Sequence, residues 1–275
     1  MKQKKKKRLI VLPVVLVIYI LLSAWWFSLE TVRYSVKSNK VNDVRIVFIS
    51  DLHNCFYGGF DQSGLFNAVE AEEPDIVLFG GDMIDQWGGM KYALRFMKMI
   101  KEKYPCAYTA GNHEEVRKDK KTFYNKVREL GIPVLMGENQ TFEVNGQKIC
   151  VFGVLTDYAM IGKENQLSKC INELDTNCYN ILLIHNPELI GNVNRLEKKF
   201  DLILSGHAHG GQWRLPKILE QGTYAPGQGI FPDYTCGMYE YGDTVHIISK
   251  GLAKPLRMIF IPRIFNHPEI TVIDL

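Results

Sequence analysis

The sequence has no CxxC pair, no low-complexity segment, no repeat of fixed period and no twin-arginine pair. Its six cysteines, Cys55, Cys106, Cys150, Cys170, Cys178 and Cys236, are scattered, so no thiolate cluster or redox dithiol motif is encoded. Three of them (Cys106, Cys150 and Cys178) lie in or beside predicted strands, where a small hydrophobe suffices, and the sequence leaves open whether any disulfide forms. Excess positive charge is also missing outside the first eight residues. Without Lys2, Lys4, Lys5, Lys6, Lys7 and Arg8 the formal net charge turns from +3 to −3, so no electrostatic argument for a nucleic-acid partner remains. No cysteine follows the apolar run near the N-terminus, which argues against a lipoprotein.

What is present begins with that run. Leu9 to Leu29 carry no charge and end in Trp25, Trp26 and Phe27. As a helix the run would be about 31 Å long, enough for the roughly 30 Å hydrocarbon core of a bilayer. Its basic leading end suits the cytoplasm and its aromatic end a membrane interface. The sequence therefore predicts a single-pass anchor in residues 1–30, a polar linker over 31–43 and a main domain at 44–275 on the outer face. A cleaved signal peptide is the competing reading, because Ser23-Ala24 offers small residues; Leu22 and the length of the run speak against it. At 46% apolar and 23% charged residues, the remainder has the composition of an ordinary folded domain.

Along that domain, strand, polar loop and helix alternate. Val44 to Ser50 reads as a strand ending at Asp51-Leu52-His53. Helical spacing over Leu65 to Glu73 stops at Pro74, and the strand Asp75 to Phe79 ends at Gly80-Gly81-Asp82 with Asp85 three residues on. A helix over Lys91 to Lys103 precedes the strand Cys106 to Ala110, which ends at Gly111-Asn112-His113-Glu114. A helix over Lys120 to Leu130 leads to a hairpin about Asn145-Gly146. After a helix around Glu164 to Leu174, the strand Tyr179 to Ile184 ends at His185. A further helical stretch through Leu196 leads to the strand Leu202 to Leu204, which ends at Gly206-His207-Ala208-His209. Two more strands, over Thr235 to Tyr241 and Thr244 to Ser249, and a last one over Ile270 to Leu275 complete a mixed α/β pattern of paired sheets covered by helices.

Five strands thus deliver polar residues at their carboxyl ends, where ligand sites of such sheets collect. Five of the seven histidines belong to this set; His246 and His267 have no such setting and read as packing or surface residues. Two carboxylates, one amide oxygen and four imidazoles are too many donors for one tetrahedral ion. They suit two first-row ions such as Mn, Fe or Zn, and a carboxylate can bridge the two. Phosphoester hydrolysis is the natural use of such a pair.

In order, Asp51-x-His53, Gly81-Asp82-x-x-Asp85, Gly111-Asn112-His113-Glu114, His185 and Gly206-His207-x-His209 resemble the motif series of the calcineurin-like metallophosphoesterases. Gly210-Gly211-Gln212, residues 224–229 and residues 263–269 are similar to the membrane-associated branch, which includes proteins described as UDP-2,3-diacylglucosamine hydrolase-like or pyrophosphatase-like. The resemblance implies a four-layer α/β/β/α sandwich and a phosphoric ester hydrolase working by metal-activated hydroxide. It implies Asp51, His53, Asp82 and His209 around one divalent ion and Asp82, Asn112, His185 and His207 around the other. His113 would be the proton donor, oriented by Asp85, for which the other reading is a loop cap. Protein phosphatases of the superfamily carry Arg after the second aspartate, where this chain has Gln86. That departure favours a phosphodiester or pyrophosphate over a monoester dianion. The expected substrate is a lipid or cell-envelope intermediate; the alternatives are a phosphomonoesterase or a membrane-tethered binding protein without catalysis.

Overall fold

The computed structural model describes residues 13–15, 17–19, 22, 28–156, 166–193, 199–215, 217–254 and 263–275. The anchor expected over residues 9–29 lies mostly outside these, and among the described residues no helix is long and apolar enough to cross a membrane.

Two sheets face each other. The first runs in the order β1 (Glu30–Ser35), β13 (Glu269–Asp274), β2 (Arg45–Ile49), β3 (Ile76–Phe79) and β4 (Cys106–Tyr108). The second runs β11 (Gly237–Tyr241), β12 (Thr244–Ile248), β8 (Leu202–Ser205), β7 (Tyr179–Ile184), β6 (Gln147–Val154) and β5 (Glu138–Val144), and β9 (Tyr224–Ala225) pairs with β10 (Gly229–Ile230) in a separate short ribbon. Strands β2, β3 and β4 are mutually parallel, as are β6, β7, β8 and β12. The hairpin joining β5 to β6 turns at Asn145 (φ 51°) and Gly146 (φ 73°), the left-handed pair that the Asn-Gly dipeptide predicts.

Strand alternation creates the layers. Ile46, Phe48, Ile76 and Leu78 point into the space between the sheets, where they meet Val151, Ile181, Leu183, Leu202 and Leu204 of the second sheet. Their neighbours Val47, Ile49, Val77 and Phe79 face the other way, onto Leu65 and Val69 of α1 (Ser63–Glu70) and Phe96, Met97 and Ile100 of α2 (Lys91–Lys101). On the far side, Phe152, Leu182, Ile184 and Ile203 cover a third apolar layer against Leu167 and Cys170. Because the central strands are buried on both faces, they read as unbroken apolar runs. No disulfide links the six cysteines, five of which are buried.

One expectation fails. The segment at 31–43 is not wholly linker, because Glu30–Ser35 forms β1 and pairs in parallel with β13 from Glu30↔Glu269 to Ser35↔Asp274. Val32 and Tyr34 face inward along this edge strand while Thr31 and Arg33 face out. Strand β13 runs antiparallel to β2, so the chain enters β1 at the edge where β2 ends.

Candidate active site

The loops at the carboxyl ends of β2, β3, β4, β7 and β8 converge at one edge of the paired sheets. His185 and Gly80 join them directly, the imidazole Nδ1 donating to the carbonyl at 2.7 Å. The His207 backbone N–H donates to Asp51 Oδ1 at 3.0 Å, tying the last loop to the first. Such contact leaves no room for side chains at two glycines. A Cβ at Gly111 would overlap the Asp82 carboxylate, and one at Gly206 would overlap that of Asp51. The loops turn sharply at the polar residues themselves: Asp51, His53, Asp82, His207 and His209 all have φ between 48° and 68°.

All seven residues expected to bind metal are brought together. Ligand atoms of Asp51, His53 and His209 lie within 4.8 Å of one another, as do those of Asp82, His185 and His207. Asn112 Oδ1 is 2.8 Å from His207 Nδ1. A third grouping, His53, Asp82 and His113, spans the two. His185 Nε2 stands 3.2 Å from Asp82 Oδ2 and 3.8 Å from Asp51 Oδ1, and His209 Nε2 is 3.4 Å from Asp51 Oδ1.

These atoms fit cations. His53 Nε2, Asp82 Oδ2, His185 Nε2 and His209 Nδ1 are buried without a hydrogen-bond partner among the described residues. Buried polar atoms rarely stay unpaired, so four in one cluster mark a place for a ligand. Burial lowers His53 to about 4 and His207 to about 3, and holds His209 well below its ordinary value. Those three imidazoles are neutral at neutral pH, as metal ligation requires. Burial also acts to lower His185, but the carboxylates of Asp82 and Asp51 raise it to about 10. Burial pushes Asp51 up to about 6, whereas the surrounding imidazoles, led by His185, overcome burial at Asp82 and hold it well below the usual carboxylate range.

His113 differs from the others. Its side chain is 28% exposed, whereas those of His53, His185, His207 and His209 are buried. Nδ1 is 2.9 Å from Asp85 Oδ1, and the backbone N–H donates to Asp82 Oδ1 at 2.8 Å. Burial would lower its pKa, but the bond to Asp85 and the charge of Asp82 raise it. Asp85 is therefore a partner of this imidazole as well as a loop residue, since it also accepts from the Gln86 N–H at 2.7 Å.

Sequence reasoning missed the residues that brace these loops. Glu114 is fully buried and accepts three backbone N–H bonds, from Asp82 (2.8 Å), Ile84 (2.9 Å) and Gly111 (2.9 Å). Burial and the nearby Asp82 raise it to about 8 against the pull of these donors. Its position three residues after Gly111, at the start of a short helix, is the only local signal of this role. Arg117 donates to the carbonyls of Asp85 (2.7 Å) and Gly88 (3.2 Å), fixing the Asp85 loop. Asn54 accepts from the N–H groups of Tyr92 and Ala93 and so caps α2 from the His53 loop. Asn266 donates to the carbonyls of His209 (2.7 Å) and Gln212 (3.1 Å). Replacing Glu114 with Ala would orphan three buried donors at a cost of about 3 kcal/mol or more. The expected fall in Tm is roughly 6 to 12 °C, measurable by calorimetry on the metal-free protein.

The model of the calcineurin-like phosphoesterase family matches residues 44–211, which include every ligand residue named above. The chain belongs to that family. This phosphoesterase is 34% identical over 187 residues to the Bacillus subtilis protein YpbG, covering 66% of each chain. It is 26% identical over 259 residues to the Escherichia coli phosphodiesterase YaeI, covering 91% of this chain and 88% of that one. A transmembrane protein with metallophosphoesterase domain from Bos taurus matches at 26% over 226 residues. There the alignment covers 78% of this phosphoesterase but 49% of the bovine chain.

Proposed function

We propose that this phosphoesterase is a membrane-anchored hydrolase of phosphodiester or pyrophosphate bonds in a lipid or cell-envelope intermediate, with its catalytic domain on the outer face. The observation that carries the reading is the pair of adjoining ligand clusters, spanned by the grouping of His53 and Asp82 with the part-exposed imidazole of His113. Asp51, His53, Asp82 and His209 would hold one divalent ion, and Asp82, Asn112, His185 and His207 a second, with Mn, Fe and Zn all suited to such donors. Two ions so held would supply Lewis acidity toward the phosphoryl group.

The chain's own residues do the rest. His113 holds a proton on the ring nitrogen that faces the site, and Asp85 fixes the tautomer by accepting from Nδ1. As an oxygen from water bonds to phosphorus and the P–O bond to the leaving group breaks, that proton passes to the departing oxygen. Gln86 puts no guanidinium at the position after Asp85, so a dianionic monoester lacks a cation there that a diester, with less charge, needs less. An outer-face domain cannot reach a cytoplasmic nucleotide-lipid, so the reading favours an envelope lipid or wall precursor. The YaeI name supports diester chemistry, and the bovine relative's name supports a membrane setting.

The test is hydrolysis of a chromogenic phosphodiester and of the matching monoester by the full chain, stripped of metal and then reloaded with Mn, Fe, Zn, Ni or Co. The expected result is metal-dependent turnover with kcat/KM about ten-fold or more in favour of the diester. Preference for the monoester would overturn the argument from Gln86. Two bound ions with no turnover of either ester would overturn the enzyme reading.

A further inference from the structure

The chain joins the folded domain at the same edge as the candidate active site. Glu30 opens β1 opposite Glu269, and its N–H donates to the Pro268 carbonyl at 2.9 Å. Just before it, Ser28 Oγ lies 3.0 Å from His267 Nδ1, and Leu29 packs into the core. Those contacts adjoin the site itself. Asn266 holds the His209 and Gln212 carbonyls, and the Glu269 N–H donates to the carbonyl of Gly251, where an added Cβ would overlap the Asp51 side chain.

The apolar run therefore ends where the domain begins, with no spacer between Phe27 and the residues locked to this edge. Two extended residues reach at most roughly 7 Å. Residues 13–15, 17–19 and 22 of the run are helical, and Val14, Val15, Val17, Ile18, Tyr19 and Leu22 are each at least half exposed. The Tyr19 ring also lies 5.7 Å from the ring of Phe265, one residue from Asn266. A helix apolar on its exposed face, tied to this edge, needs an apolar medium beside the edge.

The edge is furnished for that medium. Among the described residues from 28 onward, every exposed large apolar side chain except Met238 lies in one of the segments that follow the carboxyl ends of β2, β3, β4 and β8. Trp87, Ile218, Ile230 and Phe231 are each more than two-thirds exposed. The loop bearing Ile218, Ile230 and Phe231 follows His209 and is pinned to the entry edge, because Arg214 N–H donates to the Ile264 carbonyl at 2.9 Å and Ile264 N–H to Gln212 at 3.2 Å. Cations stand among these apolar groups, as suits a headgroup layer: Arg214 and Lys217 in that loop, and Lys254 with its Nζ 5.2 Å from the centre of the Phe56 ring.

The geometry points to a lipid bilayer as the partner of this face: the active-site edge is seated on the membrane, with Ile218, Ile230 and Phe231 entering the interface. The inference rests on the membrane-anchored part of the proposed function and gives it an orientation. Substrate then arrives from the lipid surface, laterally, at His113.

The test uses the full chain in vesicles of phosphatidylethanolamine and phosphatidylglycerol carrying a tritiated phospholipid. A photoreactive residue is placed by Phe231→benzoylphenylalanine or, at the opposite edge in the β11–β12 turn, by Asp243→benzoylphenylalanine. Irradiation should give a lipid adduct at least ten-fold more abundant at 231 than at 243. Equal or reversed yields overturn the orientation, and an adduct at 231 with a second protein chain alone overturns the bilayer as occupant. Hydrolysis of a soluble diester by the same samples separates the two readings. Lipid labelling at 231 without turnover keeps the docking and removes the enzyme, whereas turnover without labelling keeps the enzyme and removes the docking.

Discussion

Replacing His113 with Ala is expected to lower kcat for a phosphodiester by a factor on the order of 10² to 10⁴, the usual worth of a positioned proton donor. Metal content and KM should hardly change. His113 lies outside the two clusters assigned to the ions, its side chain is part-exposed and its ring is held by Asp85. The leaving group supplies the decisive comparison. A nitrophenolate departs without protonation, so the His113→Ala loss should be small for nitrophenyl esters and largest for alkyl esters. Equal losses on both would show that the residue shapes the loop and does not deliver a proton. Asp85→Asn should lower kcat by roughly ten-fold with KM unchanged, as expected of a positioning residue that retains an acceptor for Nδ1.

Replacing Asp82 with Ala should have the larger effect. Asp82 Oδ2 lies within 4 Å of His185, His53 and His113, at 3.2, 3.7 and 3.9 Å. If it bridges, its loss removes a donor from both ions at once, and bound metal measured by elemental analysis should fall below half that of the parent. Rates should drop on the order of 10³ or more, which corresponds to several kcal/mol of lost charge stabilisation. His207→Ala is the internal comparison, because His207 belongs to one grouping only. That variant should retain about half of the metal, a proportion that follows from one of two sites being spared. Full metal content in Asp82→Ala would sink the bridging assignment.

The site was legible because each motif pairs a short-range signal with a chemical one. A β-branched run followed by Gly or Ser and then Asp or His marks a strand end and a ligand in the same few residues, as in Phe79-Gly80-Gly81-Asp82. The braces were illegible for the opposite reason. Glu114 matters through donors contributed by residues as far back as Asp82, and Asn266 through the carbonyls of His209 and Gln212. No window of neighbouring residues contains those partnerships.

Strand β1 shows the same limit in the backbone. Glu30-Thr-Val-Arg-Tyr-Ser alternates half-buried with exposed residues, as an edge strand does, and on local grounds it passes for a polar connector. Its partner β13 lies some 240 residues later, with matching register from Glu30↔Glu269 onward. Parallel pairing across that separation leaves no trace in local periodicity. The hairpin at Asn145-Gly146 was visible because turn and pairing are contained in one stretch.

The left-handed backbone at Asp51, His53, Asp82, His207 and His209 carries a final consequence. Side chains with a Cβ occupy that region at a cost of roughly 1 kcal/mol each, so the five together store about 5 kcal/mol. A whole domain is held folded by only about 5 to 15 kcal/mol. Glycine at any of these positions would relax the backbone and delete a ligand in the same step. Thermostability and activity therefore compete for the same five residues, and selection for a hardier fold alone would erode the site from within.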